Sequence, residues 1–149
     1  MTVTMRLTVG HPLFAQAAEL LDDFRQHYGA NSAPEAVARW MRELMGHEGM
    51  RIYVAGPAGT ARGICSVSIM PAALTLRTAW MLRDLYVDPD ARRTGVARSL
   101  LATIADEARA DGAHRLCLQT ESGNPHAQGL YRQAGFEPVG EVTALQRLL

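Results

Sequence analysis

At 149 residues the chain suits one domain with its own core, and 48% apolar against 20% charged residues is ordinary for a soluble globule. Basic and acidic residues balance at fifteen each, which excludes the basic footprint of a nucleic-acid binder and a polybasic membrane patch. Every basic residue is Arg, so Schiff-base and P-loop lysine chemistry is excluded as well. Residues 2–9 alternate, with Val3, Met5, Leu7 and Val9 against Thr2, Thr4, Arg6 and Thr8, which predicts a first strand. A helix over 12–28 follows, started by Pro12, carrying Leu13, Ala17, Leu20, Leu21, Phe24 and Tyr28 on one face and closed by Gly29. Ser32-x-x-Glu35 reads as a capping box for a second helix whose apolar face holds Val37, Trp40, Met41, Leu44 and Met45.

Residues 51–55 and 61–70 read as strands joined by a Gly-Pro-Ala-Gly connection. In the second of these Cys65, Val67 and Ile69 face one way, Ser66 and Ser68 the other. After a loop at 71–75, a strand over 80–87 stops at Asp88-Pro89. A helix opens at Gly95, with Val96, Leu100, Leu101, Ile104 and Ala108 on one face, and ends at Asp111-Gly112 before a strand at 114–120. Strand, helix crossover and strand make two parallel strands joined right-handedly. A short helix at 126–134 is closed by Gly135, and residues 136–139 and 142–149 read as terminal strands. The order β-α-α-β-β-β-α-β-α-β-β predicts a mixed-sheet α/β fold in a single domain, 1–149.

Two cysteines, Cys65 and Cys117, fall inside strands with no His or Cys at metal-ligand spacing. Buried thiols in a reducing compartment are expected, with no metal. No apolar run approaches a membrane span, and the N-terminal decapeptide has neither the apolar core nor the cleavage site of a secretory signal. A cytoplasmic location is expected.

Chemistry concentrates between residues 80 and 101. The first amides of a helix lack internal partners and point along the positive end of its dipole. Gly95 lets an anion approach that backbone, and Arg92 and Arg93 add charge beside it, so the turn can cradle a pyrophosphate. The plainer reading is an ordinary strand-to-helix turn with solvated arginines. Arg92-x-x-Gly95-x-Ala97, after Leu85-Tyr86-Val87 and before an apolar helix, resembles the acetyl-CoA signature of the GNAT superfamily of acyl-CoA-dependent N-acyltransferases. That pattern usually ends in Gly where Ala97 stands, and often has Gly at Arg93. A second resemblance lies in Asn124, Ala127, Leu130-Tyr131 and Gly135-Phe136, at the spacing of the GNAT helix after the fifth strand. Together the two motifs and the order of elements extend the resemblance over nearly the whole chain.

The resemblance implies a sheet splayed between its fourth and fifth strands and acetyl-CoA as co-substrate. It places the cofactor on residues 92–97 (Arg92, Arg93, Thr94, Gly95, Val96 and Ala97) and on the backbone of Leu85, Tyr86 and Val87. That backbone would pair with the pantetheine arm and polarise the thioester carbonyl. Asn124 would hydrogen-bond the same arm, its plainer role being a helix cap. Tyr131 becomes the acid that protonates the departing thiolate, its plainer role being a core tyrosine. Asp84, in an apolar strand, either serves the acceptor ammonium or pairs with Arg77 or Arg83. Tyr28, His27, Trp80 and Glu121 are further candidates for the acceptor pocket. The implied reaction is acetyl or short-acyl transfer to a primary amine of a small molecule or peptide, by direct attack in a ternary complex. A sensor or carrier of acyl-CoA without turnover is the alternative. GNAT domains often pair, so a homodimer is compatible with the resemblance.

Overall fold

Strand and helix patterning carries over into a mixed α/β architecture in the computed structural model, which describes Met1–Leu149. In chain order it comprises β1 (Val3–Arg6), α1 (Phe14–His27), α2 (Pro34–Met45), β2 (Met50–Gly56), β3 (Gly63–Ala72), β4 (Arg77–Val87), a 3-10 turn (Pro89–Ala91), α3 (Val96–Ala110), β5 (Arg115–Leu118) and α4 (Pro125–Gln133). Two compact units are formed, Met1–Gln119 and Thr120–Leu149. The first holds a five-stranded sheet in the order β1-β2-β3-β4-β5. Its first three junctions are antiparallel, and β4 and β5 are parallel, as the α3 crossover requires.

Both faces of the sheet are covered, which is why Ile52, Tyr53, Val54 and Ala55 are all buried in β2 rather than alternating. Leu20, Leu21, Val37 and Met41 of α1 and α2 form one core with Ile52, Val54 and Ile64. On the opposite face α3 buries Val96, Leu100, Leu101 and Ile104. The approach there is close. A Cβ on Gly63 would meet Val96 Cγ1 at 2.4 Å, so only glycine lets α3 sit this near β3. Tyr53 donates to Glu107 of α3 beneath Arg51, whose guanidinium lies 4.7 Å from the Trp80 ring centroid. Burial, and then the Glu107 carboxylate, push the Tyr53 hydroxyl up to about 12.

The capping box at Ser32 does not form. The N-cap of α2 is Ala33, and the Ser32 hydroxyl donates instead to Asp22 of α1 at 2.7 Å. Asp22 is only 4% exposed and also accepts from Ala33 N and from Arg25, each at 3.0 Å. A buried carboxylate draws the Ser32 hydroxyl away from the capping role because its lone pairs must be satisfied where water cannot reach them. The Ala33 amide, then the Ser32 hydroxyl and Arg25, outweigh desolvation and hold the Asp22 carboxyl below the usual carboxylate range. Replacing Asp22 by Ala is expected to cost about 1–3 kcal/mol at neutral pH. Because the folded value is depressed, that contribution is complete above the unfolded value of 3.8 and is lost as pH falls through the folded value. Urea denaturation at pH 7 and at progressively lower pH checks both the size and the convergence of the two proteins.

Pro71 and Ala72, read as loop from sequence, extend β3 and pair with Thr78 and Arg77. Pairing to β2 stops at Ser68, and Ile69 N turns to Gly49 O. By alternation the Pro71 nitrogen points to that same vacated edge, where its missing N–H costs nothing. Residues 136–149, read as two terminal strands, belong to no strand. Their composition is strand-like, but a strand exists only through a ladder, and Val139, Val142, Leu145 and Leu148 are exposed.

Candidate active site

The site begins at an irregularity in β4. Ser66 opposes Asp84 and Val67 opposes Leu82, so Arg83 is an extra residue without a partner on β3. This bulge resets the alternation. Leu82 stands opposite Val67 on the α3 face, whereas Asp84 and Tyr86 stand opposite Ser66 and Ile64 on the face of α1 and α2. Strict alternation would have grouped Leu82 with Asp84 and Tyr86. Ser66, 2% exposed, donates to Asp84 Oδ2 at 2.6 Å. Neither arginine proposed from sequence pairs with Asp84. Arg77 donates to the carbonyls of Gly112 and Ala113, and Arg83 touches only Met81 Sδ, at 3.7 Å. Asp84 borders a cavity of about 610 Å³ between the sheet and the two helices, walled by Leu21, Phe24, Trp40 and Leu44.

On its other side β4 loses its neighbour. The ladder with β5 runs from Ala79 and Arg115 to Leu82 and Leu118 and then stops, leaving residues 83–87 an open edge. This lapse is the splay implied by the sequence resemblance. Beyond it, Asp88 accepts from Asp90 N and pairs with Arg62 at 3.3 Å. Arg92 Nε donates to Val87 O at 3.2 Å, and its guanidinium lies 5.9 Å from the Tyr86 ring centroid. Arg92 therefore ties the turn to the strand. The Thr94 hydroxyl donates to Ala91 O. Arg93 and Gly95 both take positive φ, 62° and 90°.

The first bond of α3 runs from Ser99 N to Gly95 O, and no side chain caps the helix. The amides of Val96 and Ala97 thus lack intrahelical acceptors at the positive end of the dipole. A Cβ at Gly95 would meet nothing within 4 Å, so the turn that precedes these donors is open on that side. Orphan amides, open approach and an exposed Arg93 fit a diphosphate. The side chain of Val96 is buried against Gly63 and offers only its backbone.

In the second unit, Asn124 is the N-cap of α4, its Oδ1 accepting from Ala127 N at 3.2 Å. Tyr131 is half-buried and meets Phe136 edge-on, with ring centroids 6.0 Å apart. The backbone carbonyl of Glu121 accepts from Gln128 Nε2 and Asn124 N.

A profile described as the acetyltransferase (GNAT) family matches residues 15–136. The chain belongs to the GNAT acetyltransferase family. It is 32% identical over 124 residues to the uncharacterized N-acetyltransferase YhfO of Bacillus subtilis, covering 83% of each chain. An L-methionine sulfoximine/L-methionine sulfone acetyltransferase of Pseudomonas aeruginosa is 40% identical over 59 residues, 40% of this chain and 34% of that protein. The crystal structure of a probable acetyltransferase superposes with a TM-score of 0.87 at 27% identity, covering 100% of this chain and 97% of the other. GNAT enzymes transfer acyl groups from acetyl-CoA to amines, and the present chain is an N-acetyltransferase of this family.

Within this GNAT acetyltransferase some sequence candidates move. Trp80 is not an acceptor contact, because the alternation of β4 turns it to the α3 face, where it is 0% exposed under Arg51. Tyr28 is exposed at the end of α1 and packs edge-on against Phe24 and His27, with His27 in turn against Tyr86. Ser66 and the wall residue Trp40 were not marked as site residues. The signal for Ser66 was present, as two serines sharing the second face of an otherwise apolar strand. Both thiols are poorly suited to attack. Burial, then the Asp84 charge, push the Cys65 thiol far up, and burial raises Cys117, which donates to Trp80 O at 3.4 Å.

Proposed function

We propose that this enzyme transfers an acetyl or short acyl group from acetyl-CoA to a primary amine of a small molecule or peptide, by direct attack in a ternary complex. Residues 1–149 act as a single acetyltransferase domain in the cytoplasm. Acetyl-CoA supplies the activated acyl thioester. The backbone amides at the start of α3, with Arg93, hold its diphosphate, while the open edge at residues 83–87 and Asn124 hold the pantetheine arm. Val87 contributes through its N–H, since its carbonyl is already engaged by Arg92. The acceptor enters through the cavity beside Asp84, which receives its ammonium and passes the excess proton to water. The neutral nitrogen then forms the C–N bond as the C–S bond breaks; Tyr131 gives its proton to the leaving sulfur, and the proton that the nitrogen sheds as the amide forms restores the phenol through water. The amine thus becomes an amide and the thioester a free thiol, with no enzyme-bound acyl group.

The observation that carries this reading is the coincidence at Asp84. One carboxylate, held by Ser66 and without a cationic partner, borders an apolar cavity on the one segment of β4 whose far edge is unpaired. The named acceptors of the Pseudomonas relative, small amine-bearing molecules, are in keeping with it. Thiol release from acetyl-CoA across an amine panel tests the reading. Replacing Asp84 by Asn is expected to lower kcat/KM for the acceptor about a hundredfold while the KM for acetyl-CoA stays close to that of the parent. Tight acetyl-CoA binding without thiol release for any amine would instead identify a sensor.

A further inference from the structure

We infer that the acceptor is a zwitterion, an α-amino acid with an uncharged apolar or aromatic side chain, whose carboxylate is read by Arg83 while Asp84 takes its ammonium. This rests on the acetyl-transfer reading above and names the acceptor class at the same site. The decisive feature is the bulge. In a regular strand, adjacent side chains point to opposite faces. Here the extra residue lets Arg83 and Asp84, consecutive and oppositely charged, both border one cavity. Two neighbouring charges of opposite sign complement the two neighbouring charges of an amino acid, and no simple amine offers that match.

Arg83 is available for this. It is exposed, forms no ion pair with any carboxylate of the chain, and makes its one polar contact with a thioether. The second guanidinium at the cavity is different. Arg25 is paired with Asp22 at 3.0 Å and donates to Asn31 O, so it supplies a neutralised pair rather than a free cation. Of the other walls, Leu21, Phe24, Trp40 and Leu44 offer apolar and aromatic surface to an uncharged side chain, and Ser68, whose hydroxyl lies 3.7 Å from Met50 Sδ, brings no second carboxylate for another ammonium. A polyamine or an aminoglycoside would bring extra positive charge against Arg83 and these walls. A protein lysine side chain would bring no anion for Arg83.

Matched acceptor pairs test the assignment: L-phenylalanine with phenethylamine, L-leucine with isoamylamine, and L-tryptophan with tryptamine, plus spermidine as a polycation. Initial rates of thiol release at saturating acetyl-CoA give kcat and KM for each. At least one amino acid is expected to exceed its decarboxylated partner tenfold or more in kcat/KM, and spermidine is expected to be the poorest acceptor. Arg83→Gln should collapse that preference tenfold or more, chiefly through KM of the amino acid, and Arg83→Lys should restore part of it. An unfolding curve matching the parent establishes that each variant is folded. If the decarboxylated amines or spermidine are accepted as well as the amino acids, or Arg83→Gln keeps the preference, the carboxylate assignment is overturned while acetyl transfer stands. If no member of this set releases thiol while other amines of the wider panel do, the acceptor class is overturned and acetyl transfer stands; if no amine of either set does, the proposed mechanism falls with it.

Discussion

Replacing Tyr131 by Phe is expected to lower kcat about a hundredfold with little change in acetyl-CoA affinity. A phenol is a weak acid that can donate to a sulfur anion. Phenylalanine keeps the ring that meets Phe136 edge-on at 6.0 Å and removes the hydroxyl that would carry the proton. The change therefore isolates the step in which the thiolate leaves. Calorimetric titration with CoA measures the binding side, and thiol release at saturating acetyl-CoA measures turnover. Equal turnover in the two proteins would remove Tyr131 from the chemistry and leave it a packing residue of α4.

Gly95→Val is expected to weaken acetyl-CoA binding about ten- to a hundredfold in a protein that still folds. The cost is conformational. At φ +90° a β-branched residue is strained by about 1–3 kcal/mol, and a factor of ten in affinity corresponds to about 1.4 kcal/mol. Nothing within 4 Å would collide with the new Cβ, so the loss cannot be ascribed to a steric clash inside the protein. Relief of that strain is expected to shift the backbone at the start of α3, where the proposed cradle lies. Gly112, at φ +80° beyond the other end of α3 and equally open, is the control. Gly112→Val should lose comparable stability and keep its affinity for CoA. Equal affinity loss at both positions would mean that general destabilisation, rather than the cradle, sets the effect.

The turn proposed as the cradle was legible because it is local. A strand end, a turn of charged residues and a helix-starting glycine occupy consecutive positions, and their geometry follows from dihedral preference. Arg93 is the exception within it. Its positive φ of 62° is imposed by the turn on a residue type that seldom adopts it. Asp84 was legible as an acid in an apolar strand, but its companions were not. The bulge opposite Ser66 and Val67 reverses which residues share its face, and a register shift of one residue leaves no mark on the pattern of a single strand. Asp22 shows the same limit from the other side. The Ser32 and Glu35 pair had the right spacing for a local cap, yet a carboxylate ten residues earlier took the donors once both helices were packed.

Sequence alone determined the order of the first nine elements, the core faces of the first three helices apart from the exposed Tyr28 and Trp40, and the positions of both motifs. These depend on periodicity, on turn chemistry and on residues close together along the chain. Tertiary structure alone decided that Trp80 is buried behind the sheet and that Arg83 joins Asp84 at the cavity. It also decided that β4 loses its neighbour after Leu82, and that residues 136–149 form no ladder. Each of those outcomes is a pairing between segments distant in sequence. Which pairing wins depends on packing and hydrogen-bond satisfaction across the whole sheet, and no single segment carries that information.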